Sequence, residues 1–223
     1  MIPRVSVLLT TWNRPAMLQD AVMSVLRQTY REFELIVLDD NSDDPEQHRL
    51  LEYCDRHPKC RVWRSDVTAS ERGKKVRYAV LANVGLRLAA GEYITYLCDD
   101  DFYYKERLKR MVARLDRDGV QAVYGTQALL VDGQVTGYRA AVEVLEDAFC
   151  KVDHSSVMHT KAVANQVGGW DESPQNWRFA DGVFWRKLNQ AGHAFHPINE
   201  VLDAHRFHAG SVTSCIEATG APV

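Results

Sequence analysis

No C-x-x-C pair occurs in these 223 residues, and the five cysteines (Cys54, Cys60, Cys98, Cys150 and Cys215) are odd in number. That pattern argues against a zinc ribbon and against a disulfide framework, and free thiols in a reducing compartment are expected. No apolar run approaches the roughly 18 residues that cross a bilayer. MIPRVSVLLTTW carries one charge and a short apolar run that breaks into polar residues before any small-residue cleavage pattern, so neither signal peptide nor anchor is expected, and the expected location is the cytoplasm. An excess of one charge is also missing: 27 basic residues stand against 30 acidic ones. General attraction to nucleic acid or anionic lipid is thereby excluded, and any bound anion must be held locally. Neither a G-x-G-x-x-G loop nor a G-x-x-x-x-G-K-[ST] loop is present, which removes a dinucleotide site and a P-loop. With no repeat, low-complexity segment or linker, the length fits one domain.

What is present is alternation. Short apolar runs at VSVLLT (5–10), FELIVLDD (33–40), CRVWRS (60–65) and EYITYL (92–97) read as strands, separated by helical patterns over about 16–28, 45–57 and 75–90, the last stopped by Gly91. FELIVLDD is apolar nearly throughout, as a strand covered on both faces should be. A helix over 105–115 and a strand over 121–131 with an Asp132-Gly133 turn follow. Strand, helix, strand, helix predicts a mostly parallel α/β sheet flanked by helices. After about residue 137 the pattern loosens: a SSVMH strand, a short helix over 161–167, a GGWDESP turn, a helix over 181–190, and a tail, SCIEATGAPV, expected to be poorly packed.

In open α/β sheets, ligands bind beyond the carboxyl ends of the strands. Three predicted strands end in polar groups: Thr10-Thr11, Asp39-Asp40-Asn41 and Asp99-Asp100-Asp101. Asp, Asn and Ser after the second strand suit turns and helix caps. The aspartate triple is harder to explain as a cap, because one cap needs one carboxylate and each further charge costs about 1–4 kcal/mol of repulsion at contact distance. A hard divalent cation removes that repulsion. Oxygen ligation without adjacent Cys or His suits Mg²⁺ or Mn²⁺ completed by water and phosphate oxygens, which points to a diphosphate partner.

VSVLLTTWNRPAMLQDAVMSVLRQTYREFELIVLDDNSDD and NVGLRLAAGEYITYLCDDDFYYKERL resemble, in order, the opening and the D-x-D segment of family 2 glycosyltransferases of the GT-A fold. With one member the match continues through RSDVTASERGKKVRYA, VDHSSVMH and WDESPQNWRFADGVFWRKLN, covering about residues 4–190. The resemblance implies a GT-A nucleotide-diphospho-sugar transferase fold with a smaller acceptor-side sheet region. Residues 1–131 would form the nucleotide-sugar half, 132–210 the acceptor and base half, and 211–223 a tail. It implies a metal-dependent, inverting, hexosyltransferase-like enzyme that uses a UDP- or dTDP-sugar and a saccharide or other hydroxyl acceptor.

Carried over by motif, Thr11 and Asp40 would contact the base, with Asp40 accepting from a pyrimidine N3–H, and Arg72 would lie over or beside it. Asp99 would bind the ribose and Asp100 the metal, with Asp101 standing where the family often has the last acid of its D-x-D; three consecutive acids leave two registers open. Asp181 would be the catalytic base, although its place at a helix start also suits an N-cap. Trp170, Asp171 and Glu172 either shape an acceptor pocket, an aromatic face with carboxylates suiting sugars, or hold a structural turn. His154 and His159 read as satisfied structural histidines. His205 and His208, in DAHRFHAGS, read as surface loop, although the resemblance also implies that a late histidine such as His208 can complete the metal site.

Two other functions share parts of this pattern. A sugar-1-phosphate nucleotidyltransferase would carry a glycine-rich loop after the first strand, where TTWNRPAML has no glycine. A catalytically silent nucleotide-sugar-binding protein would have no use for Asp181.

Overall fold

The computed structural model describes residues 2–209. The chain forms β1 (Val5–Thr11), α1 (Pro15–Leu26), β2 (Phe33–Asp39), α2 (Pro45–Arg56), β3 (Cys60–Arg64), α3 (Arg77–Leu88), β4 (Tyr93–Cys98) and β5 (Phe102–Tyr103). It continues through α4 (Arg107–Asp118), β6 (Ala122–Val131), β7 (Gln134–Arg139), β8 (Val157–Thr160), α5 (Lys161–Gln166), α6 (Ala180–Gln190) and β9 (Phe195–Phe207). The expected alternation holds through α4, with boundaries shifted by a few residues. The tail SCIEATGAPV and Cys215 lie outside the described residues. Cys54, Cys60, Cys98 and Cys150 are free thiols.

All the strands join one sheet in the order β3-β2-β1-β4-β8-β6-β9-β5, with β7 paired to β6. The β3-β2-β1-β4 half is parallel. β8 then runs antiparallel to both β4 and β6, so the strands of the second half extend the first sheet. β1 shows why both faces are covered. Val5, Val7 and Leu9 point into the core built with α1, α2 and α4, whereas Leu8 points into the core built with α3 and α6. Alternate side chains of a strand face opposite ways, so a wholly apolar run requires helices on both sides.

Gly91 does not stop α3, which ends at Leu88. Its position follows from close approach: a Cβ there would sit 2.7 Å from the backbone nitrogen of Ser6.

The 13-residue strand β9 corrects the loop expected over DAHRF, at 203–207, and His208 follows its end. Its pairing with β6 shifts register around Gly125–Gln127, which breaks the period of two that marks a strand in sequence. It also buries polar groups. Asp203 is fully buried, accepting from Arg107 Nε at 3.2 Å and from Ser156 Oγ at 2.8 Å. Arg107, itself fully buried, donates to Thr95 Oγ1 at 2.9 Å and packs over the Tyr103 ring. This network fastens β9 to β4 and places His205 and His208 beside the aspartate triple. Burial, only partly offset by Arg107, pushes the Asp203 carboxyl up to about 7.

Candidate active site

Because β1, β2 and β4 are parallel and adjacent, Thr11, Asp40 and Asp99 emerge at one sheet edge. Thr11 Oγ1 donates to Asp99 Oδ2 at 2.8 Å and accepts from Gln47 Nε2 of α2 at 2.7 Å. The Trp12 backbone N–H reaches the same Asp99 oxygen at 3.2 Å. Asp39 and Asp40 part ways. Asp39 makes the turn, accepting from Ser42 Oγ at 2.6 Å and from Ser42 N at 3.1 Å, and the cap of α2 falls to Asp44. Asp40 is held by two arginines. Arg72 Nη1 donates to its Oδ2 at 2.6 Å, and Arg77 reaches Oδ1 through Nη2 at 2.6 Å and Oδ2 through Nε at 3.1 Å. The Arg72 guanidinium also lies 4.1 Å from the centroid of the exposed Trp12 ring, a cation–π contact.

The three aspartates are buried, and each meets basic or hydroxyl partners from elsewhere in the chain. Arg14 Nη1 bridges Asp99 Oδ1 at 3.2 Å and Asp100 Oδ2 at 2.8 Å, and His208 Nε2 lies 3.2 Å from the same Asp100 oxygen. Asp101 accepts from Ser155 Oγ at 2.9 Å and from the Arg206 backbone N–H at 3.2 Å, and His205 Nδ1 sits 3.1 Å from its Oδ1. Burial pushes Asp99 and Asp101 above the usual carboxylate range, Asp100 adds repulsion to both, and Arg14 and His205 respectively oppose the rise. Burial disfavours a charged His205, yet Asp101 raises its imidazole to about 9.

Among the described residues, no group of three or more His, Cys, Asp or Glu is placed to hold a metal ion. The donor chemistry still separates the acids. Both Asp101 oxygens accept from protein donors, whereas the partners of Asp100 meet at its Oδ2. A carboxylate and an imidazole meet at Asp100 and His208; the carboxylate oxygen suits Mn²⁺ or Mg²⁺ completed by water and substrate oxygens, and the imidazole nitrogen fits a transition ion better than Mg²⁺.

Asp181 is the second residue of α6 and not its N-cap; the capping position is Phe179, which makes no side-chain cap. Its Oδ1 accepts from the Gly182 N–H at 2.8 Å. Tyr78, from α3, supplies the missing cap through its hydroxyl, which accepts from Ala180 N at 3.2 Å. The Tyr78 ring stacks on His154, whose Nε2 is 3.1 Å from Cys98 Sγ. This contact chain links the start of α6 to the residue before Asp99. Burial raises the Asp181 carboxyl to about 6 despite the nearby His154.

Of the two readings of Trp170, Asp171 and Glu172, the contacts favour the structural turn. Trp170 is buried, stacks on Phe184 and donates to Tyr96 Oη at 3.1 Å. Asp171 accepts from Ser173 N, and Glu172 from Lys75 and Asn83. His159 is the structural histidine expected, lying between Tyr96 Oη at 2.9 Å and the Thr160 carbonyl at 2.8 Å. Sequence reasoning missed Arg14, Gln47, Arg77 and Tyr78. The NRP and VRYA segments lay inside the motifs quoted, but nothing in their spacing shows which acids those residues meet.

The family described as glycosyl transferase family 2 matches residues 6–141. Protein CgeD of Bacillus subtilis is 39% identical over 212 residues, covering 90% of this chain and 49% of that protein. UDP-Glc:alpha-D-GlcNAc-diphosphoundecaprenol beta-1,3-glucosyltransferase WfgD of Escherichia coli is 26% identical over 133 residues, covering 60% of this chain and 49% of WfgD. The chain thus spans about half the length of both relatives. The crystal structure of S. aureus TarS 1-349 in complex with UDP-GlcNAc superposes with a TM-score of 0.73 at 19% identity, covering 93% of this chain and 60% of that one. The fold is of the GT-A type.

Proposed function

The chain belongs to the family 2 glycosyl transferases, and on that premise we propose that it moves a sugar from a UDP- or dTDP-sugar to a hydroxyl acceptor with inversion at the anomeric carbon. The observation that carries this reading is the meeting of Thr11, Asp40 and Asp99 at one sheet edge, with Asp181 at a helix start linked to that edge through Tyr78, His154 and Cys98. A UDP donor also agrees with the ligand of the TarS complex.

Asp40 and Thr11 take the base side of the nucleotide and Asp99 the ribose. Asp100 and His208 would hold Mn²⁺ or Mg²⁺, whose charge would offset that developing on the departing diphosphate. Asp181 accepts the proton of the acceptor hydroxyl as its oxygen bonds to the anomeric carbon and the bond to the diphosphate oxygen breaks; a carboxyl at about 6 is ionised at neutral pH yet more basic than an ordinary aspartate. The segments after β6 would frame the acceptor, and polysaccharide or glycoconjugate synthesis is the setting that fits. No helix among the described residues is long and apolar enough to cross a membrane.

A panel of nucleotide sugars with Mn²⁺ and Mg²⁺, scored by thermal shift and by release of free nucleoside diphosphate, tests the reading. Asp100→Ala should weaken UDP binding in Mn²⁺ far more than in EDTA. Calorimetry showing no metal dependence in either protein would contradict the metal assignment.

A further inference from the structure

The two arginines on Asp40 are not equivalent. Arg77 is the first residue of α3, a helix packed into the core through Ala79, Leu81, Ala82 and Leu86. Its guanidinium is anchored a second time, by Nη2 donating to Ser65 Oγ at 3.1 Å. Arg72 sits in a short turn, Arg72–Lys74, whose neighbours Glu71, Gly73, Lys74 and Lys75 are exposed. Both arginines meet Asp40, which is 3% exposed, but among the described residues Oδ1 faces Arg77 alone, while Oδ2 takes the 2.6 Å contact of Arg72 beside the 3.1 Å bond from Arg77 Nε.

We propose that Asp40 reads the nucleobase by donor exchange: Arg77 holds the carboxylate in place throughout, whereas Arg72 occupies Oδ2 only until a ring N–H of the base replaces it. This rests on the reading of Asp40 as the base-contacting residue. An ionised carboxylate has acceptors only, so the incoming edge must bring a donor. Uracil and thymine carry N3–H. Cytosine presents a lone pair at N3, which would set acceptor against acceptor at Oδ2 and cost that oxygen its 2.6 Å Arg72 contact with no donor in return, leaving only the 3.1 Å bond from Arg77 Nε. Arg77 is therefore a positioning residue for specificity, because it stops the carboxylate from rotating to offer the base some other edge. Arg72, once released, stays tethered to the rim beside Trp12.

Calorimetric Kd values for UDP and CDP, measured on the wild-type chain, Arg72→Gln and Arg77→Gln in Mn²⁺, test the exchange. The wild type should favour UDP at least tenfold. Arg72→Gln should keep that preference whatever happens to absolute affinity, and Arg77→Gln should lose most of it, with Arg77→Lys intermediate because a single ammonium lacks the fork. A preference unchanged in Arg77→Gln, or lost in Arg72→Gln, overturns the exchange. No UDP binding by the folded wild type overturns both the exchange and the nucleotide reading. Equal UDP and CDP affinity in the wild type overturns the exchange alone.

Discussion

The Arg14 guanidinium lies 2.8 Å from one oxygen of Asp100 and 3.2 Å from one of Asp99, so one side chain ahead of α1 bridges two of three consecutive carboxylates. The crowding that a cation was expected to relieve is already relieved from within the chain. A metal at Asp100 would compete with this arginine for the carboxylate. Arg14→Gln should therefore bind Mn²⁺ without nucleotide roughly tenfold more tightly, a change of about 1.4 kcal/mol. Paramagnetic resonance titration of free Mn²⁺ reads it directly, and equal or weaker affinity would show that Arg14 does not compete.

Transfer should depend on pH through Asp181. The base works ionised, and burial puts its carboxyl at about 6. The rate should be level above about pH 7, halve near 6 and fall roughly tenfold per unit below 5. An ordinary aspartate would hold the plateau to near 4. Asp181→Asn should lower turnover by about 100-fold or more while UDP binding by calorimetry stays close to wild type. Wild-type turnover in that variant would remove Asp181 from the reaction.

Arg107→Met removes one partner of a buried pair. It leaves Asp203 in the interior against Ser156 alone, and breaking such pairs costs about 3–5 kcal/mol. Urea unfolding at pH 7 should show a loss of that size, with β9 the element that loosens. A loss under about 1 kcal/mol would mean that the network does not hold β9.

His159 sets an acid limit on stability. Burial holds its imidazole down to about 4, so the folded state binds its proton less readily than the unfolded chain does at about 6.5. Its contribution is complete above pH 6.5 and disappears as pH falls towards 4, a change of about 3 kcal/mol at 1.36 kcal/mol per unit. His159→Gln carries no such proton. Between pH 7 and 5 the wild type should lose more unfolding free energy than this variant, and parallel losses would refute the assignment.

The sequence by itself determined the parallel half of the sheet. VSVLLT, FELIVLDD and EYITYL are apolar at nearly every position, a pattern that only a strand between two helical layers satisfies, and their polar ends had to share the carboxyl edge because the strands are parallel. Periodicity and residue type are local, so these elements were legible. Tertiary structure decided what each polar end meets. Nothing in DDNSDD or CDDDF says that Asp39 turns inward to Ser42 while Asp40 turns to two arginines, or that Asp101 is satisfied by Ser155 and His205 whereas Asp100 faces Arg14 and His208. Those partners lie 32 to 108 residues away in the case of Asp40 and Asp100. β9 was illegible for a related reason: its register shift breaks the alternation, and its buried Asp203 and His205 look like loop residues until Arg107 and Asp101 arrive from elsewhere in the chain to neutralise them.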